Sequence, residues 1–252
     1  MIRSILFFGL MTLVLAGHQR VSSWNPFTKN KSHVYPLCIV QASGRANMEV
    51  PEVKCVVMYE NKNSITKSFL RSRIVPDIIN KAPTKIADVT FSSGVKALIG
   101  NVLTPTLVRY KPQITWSVEK GALYTLLMTD ADGPPKPDGS TGEVRHWWVV
   151  NIPENNINQG QTVHEYIGSA PDPGSYHRYV FLIFKQSERI NTKEYVADNT
   201  STSQEGRLTS TTRDLIQRYN LGNPVYGNFY QAAYDPTANI IRDQIGIPIM
   251  NQ

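Results

Sequence analysis

Three runs of the chain are apolar at most positions, and they predict its main strands. Ala122 to Thr129, His146 to Ile152 and Arg178 to Lys185 each have strand length. The last two carry apolar side chains at both odd and even positions, as strands covered on both faces do. Weaker alternation marks Ala87 to Phe91 and Val95 to Ile99, and Ser92-Ser-Gly94 between them predicts a hairpin. Gln113 to Val118 predicts a further strand. Asp130 to Gly142 and Gly168 to Ser175, rich in Pro and Gly, predict long loops beside strand ends. Helical signals are confined mainly to the C-terminal half. Thr211 to Leu221 follows a Ser/Thr cluster suited to N-capping and stops at Gly222, and Thr237 to Gln244 predicts a shorter helix. Neither a βαβ rhythm nor an internal repeat is present. The pattern predicts a mainly β, mostly antiparallel domain with peripheral and C-terminal helices.

The N-terminal part of the chain reads differently. Arg3 precedes an almost wholly apolar run, Ile5 to Leu15, and Val14-Leu-Ala-Gly17 supplies the small residues of a cleavage site. This is the order of a secretory signal peptide, 1–16, cut after Ala16 or Gly17. A membrane anchor needs ~20 apolar residues, and polar His18-Gln-Arg20 follows too soon. Residues 17–67 then form an extension, and 68–252 the main domain. Within the extension, Leu37 to Val40 and Val53 to Tyr59 predict a small hairpin. The chain's two cysteines, Cys38 and Cys55, fall in these runs, and in an exported protein such a pair predicts a disulfide. Asn30-Lys-Ser32 and Asn199-Thr-Ser201 have the pattern of glycosylation acceptors, which export makes relevant.

Charge adds little. The 252 residues carry a formal +6, with Lys and Arg scattered and no dense basic block. Such a surface suits acidic partners, anionic headgroups and peripheral membrane contact among them, and does not point to nucleic acid.

Chemistry concentrates in three patches at strand ends. These are Thr129-Asp-Ala-Asp-Gly-Pro134, Arg145-His-Trp-Trp148, and Tyr166-Ile-Gly-Ser-Ala-Pro171 with Gly174-Ser-Tyr-His-Arg-Tyr-Val-Phe-Leu-Ile-Phe184. Asp130, His146 and His177 brought together would make a small polar pocket floored by aromatics. Taken singly, each histidine is more often structural, so only their joint occurrence carries weight; His18, His33 and His164 are read as structural or exposed. Asp130 with two histidines resembles a two-His-one-carboxylate metal set in composition. Yet neither a His-Glu-x-x-His spacing nor a Gly-x-Ser-x-Gly elbow occurs, and no catalytic nucleophile, metal ligand set or cofactor site is assigned. A hydrolase or metal enzyme is the minority reading. Trp147, Trp148, Tyr219, Phe229 and Tyr234 are read as packing.

The Asp-x-Asp-x-Pro patch, the His-Trp pair before an apolar strand and the Gly-x-x-His-Arg-Tyr-Val-Phe-Leu patch resemble the phosphatidylethanolamine-binding protein family. The likeness extends to Ile74-Val-Pro-Asp77 and to Gly227-Asn-Phe-Tyr-Gln-Ala-Ala-Tyr-Asp235, and so covers roughly 68–248. It implies an antiparallel sheet packed on a smaller one, with an anion pocket formed by Asp130, Asp132, Pro134, His146, Pro171, His177, Tyr179 and Tyr230. It also implies a non-enzymatic, secreted binding protein for phosphate-bearing headgroups, such as phosphatidylethanolamine, or other small anions. The alternative is an extracellular protease inhibitor or signalling modulator acting through protein contacts with a protease or receptor. The chain departs from the family pattern at Ala131 and Gly133, at Ala170 in place of a glycine, and in a loop one residue shorter before His177, where Tyr176 is bulky.

Overall fold

The computed structural model describes residues 34–40, 53–59, 62–134, 142–192, 202 and 206–249. The expected signal peptide and the sequons at Asn30 and Asn199 lie outside the described residues. Strands β1 (Val34–Val40) and β2 (Val53–Tyr59) pair antiparallel and set Cys38 opposite Cys55 in register. The bridge expected between those two side chains lies outside what is described.

Eleven strands, four α-helices and one short 3-10 turn (Ile157–Gln159) follow one another among the described residues. After the first hairpin come α1 (Lys62–Arg71) and a single turn, α2 (Ile74–Asp77). Short strands β3 (Lys85–Ile86), β4 (Asp88–Thr90), β5 (Asn101–Leu103) and β6 (Gln113–Thr115) lead into the long ones. Those are β7 (Leu123–Gly133), β8 (Gly142–Pro153) and β10 (Tyr176–Lys185), with short β9 (Gln161–His164) after β8. Helix α3 (Thr212–Arg218), β11 (Tyr226–Ala233) and α4 (Thr237–Gln244) complete the order.

The main sheet runs β3-β11-β10-β7-β8-β9, with β5 also paired to β11. The central pairs are antiparallel, but β11 runs parallel to β3 and to β5. The sheet is therefore mostly antiparallel, as expected, and becomes mixed at one edge. The reason is that β3 and β5 are too short to announce themselves and join the same edge strand through long connections. The smaller sheet is the pair β4–β6.

Two apolar layers lie on opposite faces of the main sheet. Leu126, Met128, Tyr179 and Phe181 point into one, closed by Val89 of β4 and Ile114 of β6. Leu127, Val180 and Leu182 point into the other, closed by Ile65 and Phe69 of α1 and Leu215 of α3. This is why β8 and β10 are apolar at both parities. Ile65 and Phe69 lie one helical turn apart and are fully buried, worth about 2 kcal/mol each in area removed from water. Helix α3 starts at Thr211, whose side chain and that of Asp214 cap one another's backbone N–H groups. Among the described residues, no helix is long and apolar enough to cross a membrane.

Candidate functional site

Strand register builds the site before any side-chain chemistry enters. Tyr179 of β10 stands opposite Asp130 of β7 on one side and opposite Tyr230 of β11 on the other. Residues opposite one another across strands share a face, so Asp130, Tyr179 and Tyr230 form one row. His177, two residues before Tyr179, joins the same face. Both strands are longer than expected at this end: Asp130 lies within β7 rather than at the start of a loop.

His146 reaches that face through a backbone irregularity. On β7, Met128 and Thr129 are consecutive, yet their partners on β8 are Trp147 and Arg145, so His146 is the extra residue of a β-bulge. Strict alternation would send His146 to the side of Trp148. Instead Arg145 lies over the Trp148 ring, and His146 packs edge-on against Tyr179 at 5.0 Å, on the side of Trp147.

The two imidazoles are held in different ways. His177 donates from Nδ1 to Asp130 Oδ2 at 2.9 Å. The other oxygen of Asp130 accepts the Asp132 amide at 2.9 Å. Burial disfavours the charged form of His177, but the hydrogen bond to Asp130 and the charges of Asp130, Asp132 and Asp172 outweigh it and raise its pKa. His146 instead donates from Nδ1 to the Ile167 carbonyl at 3.1 Å. Its burial prevails over the attraction of Asp130 and that carbonyl, pushing its pKa down to about 4. At neutral pH, His146 is therefore uncharged.

The aromatic floor is the stacked pair Tyr179 and Tyr230, 5.3 Å apart at 15°. The Tyr179 hydroxyl accepts the Ala170 amide at 3.1 Å, and Tyr230 shares a 2.7 Å hydrogen bond with Ser169. Burial raises the pKa of both phenols, so they stay neutral. These bonds bring loop 168–175, with buried Pro171, against the row. Gly168 lets it close: a Cβ there would lie 3.1 Å from the Arg109 carbonyl oxygen.

Two predicted residues sit apart from the rings. Pro134 is exposed beyond the end of β7. The Asp132 carboxylate is occupied by Arg178, whose Nε and Nη2 reach it at 2.9 and 2.7 Å. Burial would raise the Asp132 pKa, but the Arg178 hydrogen bonds and charge hold it below the ordinary value. Arg178 also donates to the Ser72 carbonyl and to Asp77, tying the site to the α1–α2 region. Sequence reasoning assigned no role to Arg178, though a charge inside an apolar strand signals a partner. It also passed over Arg207, fully buried, which donates to the carbonyls of Arg145, His146 and Glu165 around the bulge. A third omission is Arg242 of α4, which holds Asp172 and the Ala170 carbonyl.

Comparison with known proteins agrees with this fold. The 26 kDa secreted antigen of Toxocara canis is 38% identical over 165 residues, covering 65% of this chain and 62% of the antigen. The chain thus spans less than two thirds of that relative's length. Putative odorant-binding protein A5 of Drosophila melanogaster is 26% identical, over 70% of this chain and 83% of its own. Among solved structures, carboxypeptidase Y inhibitor complexed with its cognate proteinase superposes with a TM-score of 0.57 at 27% identity. That match covers 69% of this chain and 96% of the inhibitor. The Phosphatidylethanolamine-binding protein profile matches residues 95–231, more than half the sequence and all of Asp130, His146, His177, Tyr179 and Tyr230, and the chain belongs to that family.

Proposed function

We propose that this chain is a secreted binding protein that holds phosphate-bearing headgroups, such as that of phosphatidylethanolamine, at the His146–His177 end of its main sheet without altering them. The observation that carries the reading is the His177–Asp130 pair. It favours the protonated form of an imidazole beside an aromatic floor, so a positive donor can face an incoming anion. Asp130 opposes an anion by like charge, but its oxygens are engaged by His177 and the Asp132 amide. No side chain in the cluster is placed as an activated nucleophile: Ser169 is bonded to Tyr230, and Ser175 turns back to the Asp172 carbonyl. The name of the Toxocara relative supports secretion.

Calorimetric titration with phosphorylethanolamine tests the reading. Micromolar-to-millimolar binding is expected, reduced about tenfold, or about 1.4 kcal/mol, in His177→Asn. Steady turnover, detected as product by mass spectrometry and lost in that variant, would establish an enzyme instead. Peptide mapping of protein recovered from medium should begin at Gly17 or His18 and show Cys38 linked to Cys55. A retained Met1 or two free thiols would refute export or the bridge, respectively.

A second reading is an extracellular protease inhibitor or signalling modulator acting through protein contacts. It is favoured by the likeness to carboxypeptidase Y inhibitor and by Tyr176, 60% exposed beside His177. Inhibition of a serine carboxypeptidase by the purified chain, relieved by Tyr176→Ala, would support it.

A further inference from the structure

The two imidazoles present opposite hydrogen-bonding atoms. A carbonyl oxygen can only accept, so the 3.1 Å contact between His146 Nδ1 and the Ile167 carbonyl fixes the proton on Nδ1. In the segment after β9, the Ile167 amide returns a hydrogen bond to the His146 carbonyl at 2.9 Å, which locks that geometry from both ends. In a neutral ring, Nε2 is then a bare acceptor. His177 is held through Nδ1 by a carboxylate, and in its charged form Nε2 is a donor. Among the described residues neither Nε2 has a protein partner, and neither is sealed among the buried polar atoms that lack one.

We propose that this donor–acceptor pair selects a ligand carrying a protonated oxygen next to an anionic one, the monoanion of a phosphomonoester, over phosphodiesters of the same charge. The proposal rests on reading the cluster as a headgroup site and narrows what it takes. A monoester monoanion offers P–O⁻ to His177 and P–OH to the lone pair of His146. A diester has no P–OH, so one of its oxygens would face that lone pair unpaired. Burial, with the charges of Arg207 behind the bulge and His177 of β10, disfavours the charged form of His146. Asp130 of β7 favours it, and Tyr179 of β10 packs edge-on against the ring; the balance leaves the ring an acceptor. Its depressed pKa of about 4 keeps the ring neutral over the upper part of the range in which the ligand is a monoanion. Because a phosphomonoester loses its second proton near pH ~6, the preference is confined to about pH 4–6.

Calorimetry at pH 5.5 and 7.5 with phosphorylethanolamine and with its diester, glycerophosphorylethanolamine, tests the proposal. The monoester should bind about tenfold tighter at pH 5.5, with the ratio falling towards one at pH 7.5. The diester keeps one charge throughout and so reports the titration of His177 alone. His146→Leu should abolish the ratio. Independently of any variant, ¹⁵N shifts of the His146 ring should show Nδ1 protonated and Nε2 bare from pH 5 to 8. Diester parity at pH 5.5, a ratio that grows with pH, or a protonated Nε2 overturns the proposal and leaves the headgroup reading intact. Absence of binding by both ligands overturns the two together. Phosphatidylcholine vesicles containing phosphatidic acid, compared with vesicles containing phosphatidylglycerol, separate the sources. Selective retention on the former assigns the monoester to a lipid; equal retention, with the soluble ratio kept, assigns it to a free monoester.

Discussion

At one end of strands β7, β8 and β10, Thr125, Asn151 and Gln186 interlock; at the other, Asp130, His146 and His177 meet. Both clusters are polar and buried, and they follow different rules. Gln186 Oε1 accepts from Thr125 Oγ1 and from the Asn151 amide, while its Nε2 donates to Asn151 Oδ1 and to the Glu188 carbonyl. Asn151 Oδ1 also accepts the Ile190 amide, and its Nδ2 donates to the Ile190 carbonyl and to Gln161. Every amide atom is used, and none of these groups titrates. At the imidazole end each ring spends one nitrogen on the protein and keeps the other. A buried polar network stabilises only when complete. On the headgroup reading, the one left incomplete in both acceptor and donor is completed by the ligand.

The sharpest test of this contrast removes Gln186. Gln186→Ala leaves the Asn151 backbone amide and Thr125 Oγ1 without the partner they have here, and takes one of its two donors from Asn151 Oδ1, at roughly 1–3 kcal/mol per orphaned group. Urea denaturation should register a loss of about 4 kcal/mol, while the surviving folded protein binds phosphorylethanolamine with unchanged affinity. A variant that kept its stability and lost binding would reverse the roles of the two ends.

The second test uses titration. Unfolded, an imidazole takes up its proton near 6.5; folded, His146 does so near 4. Between those values the unfolded chain binds more protons, so His146 lowers stability as pH falls from 6.5 to 4, by about 3 kcal/mol at most. His177 acts with the opposite sign. Its folded pKa is raised, so its contribution is complete below 6.5 and is lost as pH rises through the folded value. Asp132, with a lowered pKa, adds stability above 3.8 that disappears as pH falls through its folded value. Urea midpoints measured from pH 4 to 8 should show the acid-side decline, and His146→Asn should flatten it. Gln186→Ala should displace the whole curve by a constant amount, because nothing at that end titrates. A decline that persisted in His146→Asn would assign it to another group.

How much of this was legible in the sequence follows from the physics of each part. The core strands were, because burial on two faces forces apolar residues at both parities. Asp130, His146 and His177 were visible as a set through the resemblance of their patches. That His146 shares a face with Asp130 was not: alternation from Trp147 and Trp148 places it on the wrong side, and a bulge leaves no mark in composition. Helix α1 escaped because Lys62–Arg71 shows a single apolar step of helical spacing, Ile65 to Phe69, with Leu70 exposed and the rest polar. The clamp of Arg178 on Asp132 and Asp77 joins positions far apart in sequence, where only the fold supplies the partner. Asn151 looked like one more strand residue. Its φ of 57°, tolerated best by Asn among residues other than Gly, is what turns its amide into the closed network.

The smallest effect belongs to the loop that covers the open end. Arg242 of α4, 9% exposed, donates to Asp172 and, at 3.2 Å, to the Ala170 carbonyl. The Ala170 amide in turn donates to the Tyr179 hydroxyl, so α4, the loop and the aromatic floor form one chain of contacts. The Asp172 side chain is nearly half exposed, which places the ion pair among those worth ~0–1 kcal/mol. Arg242 Nε is also buried without a partner, and replacing the guanidinium removes that cost. Arg242→Met retains the apolar stem, so the loss and the gain should nearly cancel in stability, within about 0.5 kcal/mol. Affinity for phosphorylethanolamine should fall two- to threefold, about 0.5 kcal/mol, because a looser loop must be ordered again when ligand binds. Denaturation and calorimetry on the same preparation separate the two quantities. A tenfold loss of affinity at constant stability would extend the open end as far as α4. No change in either would mean that the hydrogen bonds of Ala170 and Ser169 to the tyrosines hold the loop unaided, and the open end would then be complete within the sheet and its loop.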